Sequence, residues 1–323
     1  MKTETGKDIG AAAKHLNNGR LVALPTETVY GLAGNAFDES AVQEIFRVKN
    51  RPSYDPLILH TDKVSKIRSW VQELPEIAET LFNHFSPGPL TVLLPKSPVI
   101  SDLVTSGKPD VAFRIPDHPL TLELLSKLDF PVAAPSANPF GYISPTSPEH
   151  VERQLGSQIP YILNGGPCKV GVESTILRPG PSGVIIEREG GISREALETV
   201  LGPGQAQSPE EALKSPETPG QLKSHYSPRK KIVIGDLASL YSQYQDQKTG
   251  LLAFQNLPGE AESHPNPYLL SKNGNLAEAA QNLFTHLRQL DENPEVEIIL
   301  AEYVPHLDIG RAINERLKKA AGV

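Results

Sequence analysis

The chain has 323 residues and a formal net charge of −7 at pH 7, with 31 Lys and Arg against 38 Asp and Glu. This length exceeds the size at which a single hydrophobic core usually keeps growing, so we expect one large domain and a smaller one. The acidic balance disfavours a nucleic-acid scaffold held by bulk electrostatics. Any contact with RNA is therefore expected to be local or indirect.

The cysteine content and the N-terminus predict the compartment. The single cysteine, Cys168, excludes a disulfide framework and a cysteine-based zinc site, which fits a reducing cytosol. The first residues after the initiator read KTETGKDIG, without the apolar core of a signal peptide, and no run of about 18 apolar residues follows. We therefore expect a soluble, cytoplasmic protein that makes no membrane contact.

Residues 9–201 alternate short apolar runs with helical patterns, which predicts a large α/β domain with mixed strand order. The predicted strands are LVAL, LILH, LTVLLP, VAFRIP, PVAAP, YILNG, STILR and GVIIER. Helices are predicted at residues 41–48, capped by Asp38 or Ser40, and at residues 119–128. Many of the strands end in proline, which stops the ladder and begins a loop at the sheet edge.

The composition changes after residue 202. The segment GPGQAQSPEEALKSPETPGQLKSHYSPR is polar and proline-rich, without a sustained apolar period, and indicates a linker. Beyond it, strand and helix patterns alternate again and predict a small open-sheet α/β domain of the Rossmann-like kind. We predict a first domain at 1–202, a linker at 203–230 and a second domain at 231–323.

Several motifs are absent. The sequence lacks GxxxxGK[ST] and a GxGxxG between a strand and a helix, so nucleotide binding by those routes is not expected. It also lacks HExxH and GxSxG, the signatures of zinc proteases and serine hydrolases.

One stretch, RLVALPTETVYGLAGNAFDESAVQEIFRVKNRPSYDPLILH, joins a strand, a hydroxyl-rich turn, a helix, a basic turn and a second strand. Its turns carry Thr28 and the cations Lys49 and Arg51, and its last residue is His60. Hydroxyls, cations and an imidazole suit a ligand that carries phosphates and small polar groups. Cations at a helix C-terminus also complement the helix dipole, so a structural role for the two cations stays open.

Arg114 interrupts the apolar run VAFRIP, and a buried arginine needs an anionic partner, either a ligand or an internal carboxylate. Arg188 repeats this pattern in GVIIER. The loop after PVAAP carries Ser136 and Ser144, and Ser174 opens a later strand. Such hydroxyls either bind a ligand or serve as ordinary turn residues.

Taken together, eight ordered motifs resemble the YrdC-like family of L-threonylcarbamoyladenylate synthases, in the long form with an additional C-terminal domain. The motifs are PTETVYGLAGNA, KNRPSYDPLILH, SPGPLTVLLP, VAFRIPDHP, APSANPFGYISPT, GVESTI, TPGQLKSHYSP and AEYVPHLDIGRAINERLKKAA. The resemblance spans nearly the whole chain and implies a large YrdC-like twisted mixed-sheet α/β domain followed by a smaller Rossmann-like one.

The resemblance implies that L-threonine, bicarbonate or CO2, and ATP give threonylcarbamoyl-AMP and diphosphate. This product is the intermediate for N6-threonylcarbamoyladenosine in tRNAs that read ANN codons. A separate tRNA threonylcarbamoyl transferase would complete the modification, and tRNA itself would be at most a transient partner. Mg²⁺ would accompany ATP, with its protein ligands left open.

The resemblance also assigns residues. Lys49 and Arg51 would act in catalysis beside the phosphates. The threonine pocket would contain Thr28, His60, Arg114, Ala134 and Ser174, and the ATP contacts would be Lys49, Arg51, Asp55, Asp110, Ser136, Ser144, Arg188 and Tyr226.

Two positions depart from the family, the role of the linker has an alternative, and so does the function. The family commonly has Asn at position 55 and Thr at position 110, where this chain has Asp55 and Asp110. The linker would fold back over the site as a cover, with Tyr226 near the nucleotide; a passive tether is the alternative. Another carbamoyl-adenylate-forming enzyme and a non-catalytic RNA- or nucleotide-binding module remain alternative functions.

Overall fold

The structure of the chain, a computed structural model, describes residues 2–181, 183–209 and 226–323. Residue contacts divide the chain into two units. Unit 1 consists of Met1–Phe140, Pro145–Lys169 and Glu173–Gln221, and unit 2 consists of Gly141–Ser144, Val170–Val172 and Leu222–Val323. Two short segments that lie within the sequence range of unit 1 therefore belong to unit 2.

Unit 1 is a mixed α/β unit. Its strands are β1 (Glu4–Gly6), β2 (Val22–Leu24), β3 (Gly31–Asn35), β4 (Ile58–His60), β5 (Leu90–Pro95), β6 (Asp110–Arg114), β7 (Val132–Ala133), β8 (Tyr161–Leu163), β9 (Thr175–Gly180), β10 (Gly183–Arg188) and β11 (Ala206–Gln207). Its helices are α1 (Ile9–Asn17), α2 (Glu39–Lys49), α3 (Val64–Arg68), α4 (Glu76–Phe85), α5 (Asp102–Thr105), α6 (Pro119–Ser126), α7 (Pro148–Leu155) and α8 (Arg194–Leu201).

These strands form one sheet in the order β1-β8-β2-β3-β7-β4-β6-β5-β9-β10-β11. Parallel and antiparallel neighbours mix: β4 runs parallel to β6, while β5 runs antiparallel to β6 and parallel to β9. The predicted α/β class and the mixed strand order are confirmed.

Helix α2 shows how the local sequence sets an element. Asp38 caps its N-terminus by accepting hydrogen bonds from the backbone N–H groups of Ser40 and Ala41. The helix ends at Asn50, which adopts a left-handed conformation with φ of 51°. This end turns the chain into the basic segment that precedes β4, so the helix boundary positions Lys49.

The central strands of unit 1 have two buried faces. Leu59, Val92 and Phe113 point to one face and belong to the main hydrophobic core. Leu93 and Ala112 point to the other face, in a small apolar cluster that also includes Ile176 and Ile58. Because side chains alternate along a strand, the polar residues of β4, β5 and β6 share the face of this small cluster.

Unit 2 is an open parallel sheet with helices. Its strands are β12 (Lys231–Ile234), β13 (Thr249–Ala253), β14 (Pro267–Leu269) and β15 (Ile298–Ala301); its helices are α9 (Leu237–Gln243), α10 (Leu276–Glu292) and α11 (Gly310–Ala321), with a 3-10 turn at Gly259–Ala261. The strand order is β12-β15-β13-β14, and every pair is parallel. This arrangement confirms the predicted second α/β domain.

Four strands were not predicted. β3 has the sequence GLAGN, whose two glycines hide its strand character, and β1 and β14 are only three residues long. β11 lies at residues 206–207, beyond the predicted start of the linker, and it pairs with β10. Its short, polar sequence has no apolar periodicity that would predict a strand. The strand is held instead by backbone hydrogen bonds to β10. The sheet of unit 1 therefore extends past residue 202, the predicted end of the first domain.

The remaining part of the predicted linker is only partly described. Residues 210–225 lie outside the described residues, and the expected cover over the site falls largely on them. Among the residues that the structure does describe, no helix combines the length and the apolar character that crossing a bilayer requires.

Candidate active site

A row of polar side chains crosses three neighbouring strands of unit 1. His60 of β4 pairs with Arg114 of β6, and Arg114 pairs with Thr91 of β5. Residues directly opposite each other on paired strands project to the same face. Since Leu59 and Phe113 point into the main core, this row lies on the opposite face of the sheet.

Arg114 is held by an internal carboxylate. Its Nη2 donates to Glu27 Oε1 at 2.7 Å and to Thr28 Oγ1 at 2.8 Å, and the guanidinium and Glu27 are both buried. Glu27 Oε2 accepts a hydrogen bond from the Asp117 backbone N–H at 3.0 Å. Of the two partners that the sequence left open for this arginine, the structure supplies the carboxylate. Nε of Arg114 is buried and has no hydrogen-bond partner within the described ranges.

Thr28 is fixed from two sides. Thr26 Oγ1 accepts from the Thr28 backbone N–H at 3.1 Å and lies 2.9 Å from Thr28 Oγ1. The Thr26 hydroxyl donates to the Val29 carbonyl at 2.6 Å, which closes the turn. The turn that follows Pro25 therefore presents Thr28 and Glu27 together to Arg114.

His60 is a buried, neutral imidazole. Burial lowers its pKa to about 3, and the nearby charge of Arg114 acts in the same direction. Its Nδ1 lies 3.2 Å from the Ile58 carbonyl oxygen, which can only accept, so Nδ1 carries the proton. Nε2 therefore has a free lone pair and is a hydrogen-bond acceptor.

Ser174 links the row to β10. Its hydroxyl lies 2.7 Å from Thr91 Oγ1, and Arg188 Nη2 donates to Ser174 Oγ at 3.0 Å and to its carbonyl at 2.9 Å. Gly190 packs directly against the Ser174 backbone, since a Cβ on Gly190 would lie 2.3 Å from the Ser174 carbonyl carbon. Ser174 and Arg188, predicted to contact different substrates, are direct neighbours.

Ala134 lies on the same side of the sheet as Ile58, whose carbonyl accepts from the Ala134 backbone N–H at 3.0 Å. A Cβ on Gly31 would come within 3.2 Å of the Ala134 Cβ. This close approach explains why small residues occupy both positions.

Lys49 holds the loop that contains Ser136. Its Nζ donates to the carbonyls of Ser136 and, at 2.6 Å, Asn138, and its own carbonyl accepts from the Phe140 N–H at 2.7 Å. The side chain is buried, and this burial, with the charge of Arg51, lowers its pKa well below the ordinary value. Its direct contact with phosphate stays a prediction.

Arg51 and Asp55 form an ion pair, with Nη2 2.9 Å from Oδ2. Arg51 also donates to the carbonyls of Asp55 and Pro56, and its guanidinium lies 5.8 Å from the Phe140 ring centroid. The extra negative charge at position 55 is therefore matched by an arginine of the same loop.

Asp55 lies in the electrostatic field of four basic side chains. Burial raises the pKa of this carboxyl group, and the charges of Arg51, Lys49, Lys108 and Arg188 oppose the shift. We call Asp55 and these four basic side chains the cation cluster. Such a cluster is suited to a polyphosphate.

Asp110 is also paired with an arginine. Arg178 Nη1 contacts Asp110 Oδ2, and Arg178 Nε donates to Glu187 Oε1 at 2.8 Å. Asp110 and Arg178 line a small surface pocket. The other lining residues are Pro56, Leu57, Leu93, Thr105, Lys108, Pro109 and Ala112.

Ser144 and Tyr226, two predicted ATP contacts, belong to unit 2. Ser144 is fully buried, and Tyr226 is 1% exposed. The Tyr226 ring stacks on Phe284 with centroids 5.5 Å apart, and the Arg316 guanidinium lies 5.4 Å from its centroid. Their contact with nucleotide stays a prediction.

Sequence reasoning missed several residues of this site. They are Glu27, Thr91, Lys108 and Arg178. The one available signal was for Glu27, which stands between two threonines directly after a strand-ending proline. The others acquire their roles from strand pairing or loop packing.

The described residues contain no group of three or more His, Cys, Asp or Glu side chains that could hold a metal ion. A nucleotide-borne Mg²⁺ needs less, since phosphates and one or two carboxylates bind it. Asp55 is the carboxylate within the cation cluster. Asp55 is already paired with Arg51, and binding of a nucleotide-borne Mg²⁺ stays a prediction.

Comparison with known proteins first identifies the class of protein to which the fold belongs. A family model described as telomere recombination, covering Sua5, YciO and YrdC proteins, matches residues 14–190. A second, described as the C-terminal domain of threonylcarbamoyl-AMP synthase, matches residues 192–322. The crystal structure of Escherichia coli YciO covers 58% of this chain and is itself covered to 96%, with a TM-score of 0.51 and 21% identity. Unit 1 thus has the YrdC-like fold.

Similar full-length proteins give the family. Threonylcarbamoyl-AMP synthase of Bacillus subtilis is 39% identical over 97% of this chain and 93% of its own length; that of Pyrococcus abyssi is 37% identical over 97% and 94%. The crystal structure of P. abyssi Sua5 complexed with L-threonine has a TM-score of 0.89 at 35% identity and covers 100% of this chain and 98% of its own. The chain belongs to the threonylcarbamoyl-AMP synthase family. It is an enzyme, and its activity is the synthesis of threonylcarbamoyl-AMP.

Proposed function

We propose that the chain makes threonylcarbamoyl-AMP from L-threonine, bicarbonate-derived CO2 and ATP, with release of diphosphate. One observation carries this proposal: the Arg114 row and the cation cluster are joined through Ser174, which accepts from Arg188 and lies 2.7 Å from Thr91. A small amino acid and a nucleoside triphosphate would thus bind side by side.

The Arg114 row is the proposed threonine end. Both contacts of Arg114 with the protein use Nη2, so Nε and Nη1 remain to bind the threonine carboxylate. His60 Nε2, a fixed acceptor, would take a hydrogen bond from the substrate hydroxyl or amine. The crystal structure of a 35% identical relative with L-threonine supports a threonine site in this fold.

The cation cluster is the proposed phosphate end. Arg51, Arg188 and Lys108 would contact phosphate oxygens, and Lys49 would hold the loop of Ser136 in place. The pocket beside Pro56 is lined partly by apolar side chains and shares Lys108 with this cluster, so it is the proposed position of the adenine base.

The proposed chemistry needs no covalent enzyme intermediate. The threonine amine attacks CO2 and loses a proton, which gives a carbamate. A carbamate oxygen then forms a bond to the α-phosphorus of ATP while the bond between this phosphorus and the bridging oxygen of diphosphate breaks. Both reactants are anions, so the cation cluster lowers their repulsion and stabilises the departing diphosphate. Mg²⁺, held by the phosphates and Asp55, would add to this neutralisation.

We further propose the biological setting implied by this product. It would be used for N6-threonylcarbamoyladenosine in ANN-decoding tRNAs, through a separate threonylcarbamoyl transferase, with tRNA at most a transient partner of this chain. A cytoplasmic location follows from that role.

The deciding experiment measures diphosphate release from ATP by the purified full-length chain. We expect release only when L-threonine and bicarbonate are both present, together with a product of the mass of threonylcarbamoyl-AMP. Release that does not depend on threonine would contradict the proposal and favour another carbamoyl-adenylate chemistry. Salt-sensitive tRNA binding without any turnover would favour a non-catalytic module.

A further inference from the structure

A chain of hydrogen bonds runs from strand to strand across unit 1. Arg188 on β10 donates to the Ser174 hydroxyl at 3.0 Å, and this hydroxyl lies 2.7 Å from Thr91 Oγ1 on β5. In the sheet, β5 lies between β9, which Ser174 precedes, and β6, which carries Arg114. Thr91 therefore connects the two ends of the proposed site, and the family resemblance gives it no role.

The two hydroxyl groups have one hydrogen atom more than their mutual contact uses. An arginine only donates, so Ser174 Oγ accepts from Arg188. Of the two hydroxyl hydrogens, one lies between Ser174 and Thr91, and the other has no acceptor among the described residues. Both side chains are fully buried, and a buried donor without an acceptor is unfavourable. The spare hydrogen therefore points to an acceptor that a ligand supplies.

The charge of Arg188 decides which hydroxyl keeps the spare hydrogen. Hydrogen bonds that run in one direction polarise one another, so a hydroxyl that accepts from a cation becomes a stronger donor. Ser174, which accepts from Arg188, therefore donates to Thr91, and Thr91 donates onward. The chain ends with a hydrogen on Thr91 Oγ1.

This last donor lies beside Arg114. Thr91 and Arg114 are directly opposite each other on β5 and β6, so their side chains lie on the same face with Cβ atoms about 5 Å apart. Arg114 Nε is buried and has no hydrogen-bond partner within the described ranges either. Two neighbouring donors, one of them cationic, suit a carboxylate, because each of its oxygens accepts two hydrogen bonds.

We propose that Thr91 is a further residue of the threonine site, and that its hydroxyl donates to the substrate carboxylate bound by Arg114. This inference deepens the proposed function and rests on it, because it takes the Arg114 row as the threonine end. His60 does not share this task, since its Nε2 only accepts. Thr91 thus contributes to the preference for an amino acid over an amine without a carboxylate.

The test compares L-threonine with (R)-1-aminopropan-2-ol, which has the same amine, hydroxyl and methyl groups but lacks the carboxylate. Binding to the full-length protein is measured by calorimetry for L-threonine and by ligand-observed NMR for the weaker amine. Thr91→Val keeps the shape of the side chain and removes its hydroxyl. We expect its affinity for L-threonine to fall about 10-fold, the lower end of the range for one hydrogen bond to a charged group. Its affinity for the amine should stay close to that of the wild type.

Three further variants keep the result interpretable. Thr91→Ser retains the hydroxyl and should recover most of the affinity for L-threonine. Thr91→Ala replaces Thr91→Val if thermal unfolding shows that the valine variant does not fold. Thr249→Val is the matched control, at a buried strand threonine of unit 2 whose hydroxyl contacts one side chain, His264, at 3.1 Å. This control should keep the wild-type affinity for both ligands.

The outcomes separate this inference from the proposed function. An unchanged affinity of Thr91→Val for L-threonine, or no recovery in Thr91→Ser, overturns the role of Thr91. A merely structural role predicts equal losses for L-threonine and the amine, and that result also overturns it. A selective loss for L-threonine supports the role of Thr91. If the wild type then shows no threonine-dependent diphosphate release, the proposed function alone is contradicted.

Discussion

At the scale of single residues, the site is organised by buried charges that neutralise one another. Glu27 and Arg114 are 87 positions apart in the sequence, and their ion pair is almost fully buried. Removing one member of such a pair leaves an uncompensated charge, which costs far more than the pair contributes. Variants at Arg114 must therefore separate the loss of substrate binding from the loss of stability.

Arg114→Lys keeps the positive charge near Glu27 but loses the planar fork. We expect the KM for threonine to rise roughly 10- to 100-fold, because an ammonium lacks the fixed Nε and Nη1 donors that the guanidinium leaves for the carboxylate. The KM for ATP should change much less. Steady-state kinetics of diphosphate release measure both values, and Arg47→Lys, on an exposed surface ion pair, is the control. A larger effect on ATP than on threonine would contradict the carboxylate role.

His60 predicts a pH dependence of stability. In the unfolded chain its pKa is near 6.5, whereas burial and Arg114 lower the pKa in the folded chain to about 3. Between these values the unfolded state binds more protons, so the free energy of unfolding falls as the pH falls through this window. From pH 7.5 to 5 this histidine alone should cost about 2 kcal/mol.

Denaturant unfolding of the wild type and His60→Gln at several pH values measures the contribution of His60 to the free energy of unfolding. The glutamine variant does not titrate, so its stability should fall less steeply below pH 6.5. Parallel curves for the two proteins would contradict the assignment of a buried neutral imidazole.

At the scale of elements, close backbone contacts place the polar side chains. Ser174 precedes β9, and Gly190 follows β10 and packs directly against the Ser174 backbone. The same Ser174 accepts hydrogen bonds from Arg188. The geometry of one end of the proposed phosphate site thus depends on a glycine that makes no contact with substrate.

Gly190→Ala tests this dependence. Its Cβ would lie 2.3 Å from the Ser174 carbonyl carbon and the Thr175 nitrogen, so the backbone must move. We expect a loss of stability of about 1–3 kcal/mol, typical of overpacking, and a fall in kcat/KM with both substrates. Gly259→Ala is the control, because a Cβ there meets no atom within 4 Å. Wild-type thermal stability and kinetics for Gly190→Ala would contradict the close contact.

At the scale of the whole molecule, unit 2 includes two segments that the sequence places among unit 1 strands. In Gly141–Ser144, the Tyr142 hydroxyl donates to Asp291 Oδ2 at 2.6 Å, and Arg288 donates to the Ile143 carbonyl at 2.8 Å. In Val170–Val172, a Cβ on Gly171 would lie 2.4 Å from the Gln281 Cα. The C-terminal part of the chain therefore fixes short stretches of the N-terminal part.

A chain that ends at residue 209 keeps β11 but loses these partners. We expect its yield of threonylcarbamoyl-AMP per ATP consumed to fall at least several-fold, because the segment that carries Ser144 is no longer held. Thermal unfolding checks that the remaining part folds. Tyr142→Phe in the full-length chain removes the hydroxyl that donates to Asp291 but keeps the ring, and should give a milder loss. Full activity of the shortened chain would show that the C-terminal part is dispensable for synthesis.

Most of the fold could be predicted from the sequence where the local hydrophobic pattern is strong. Alternation of apolar runs and helical patterns predicted both α/β units, and the helix predicted at residues 41–48 is found at Glu39–Lys49. Strands such as β3 and β11 escaped, because glycine or polar residues there are held by sheet pairing rather than by a local pattern.

The sequence by itself determined the family, the ordered motifs and the types of side chain that surround Thr28, Arg51 and Arg114. Only the tertiary structure decided their partners: Glu27 for Arg114, Asp55 for Arg51, and Arg178 for Asp110. The reason is physical. A motif specifies which charges a segment brings, whereas burial and strand pairing, often between residues far apart in the chain, decide which opposite charge compensates each of them.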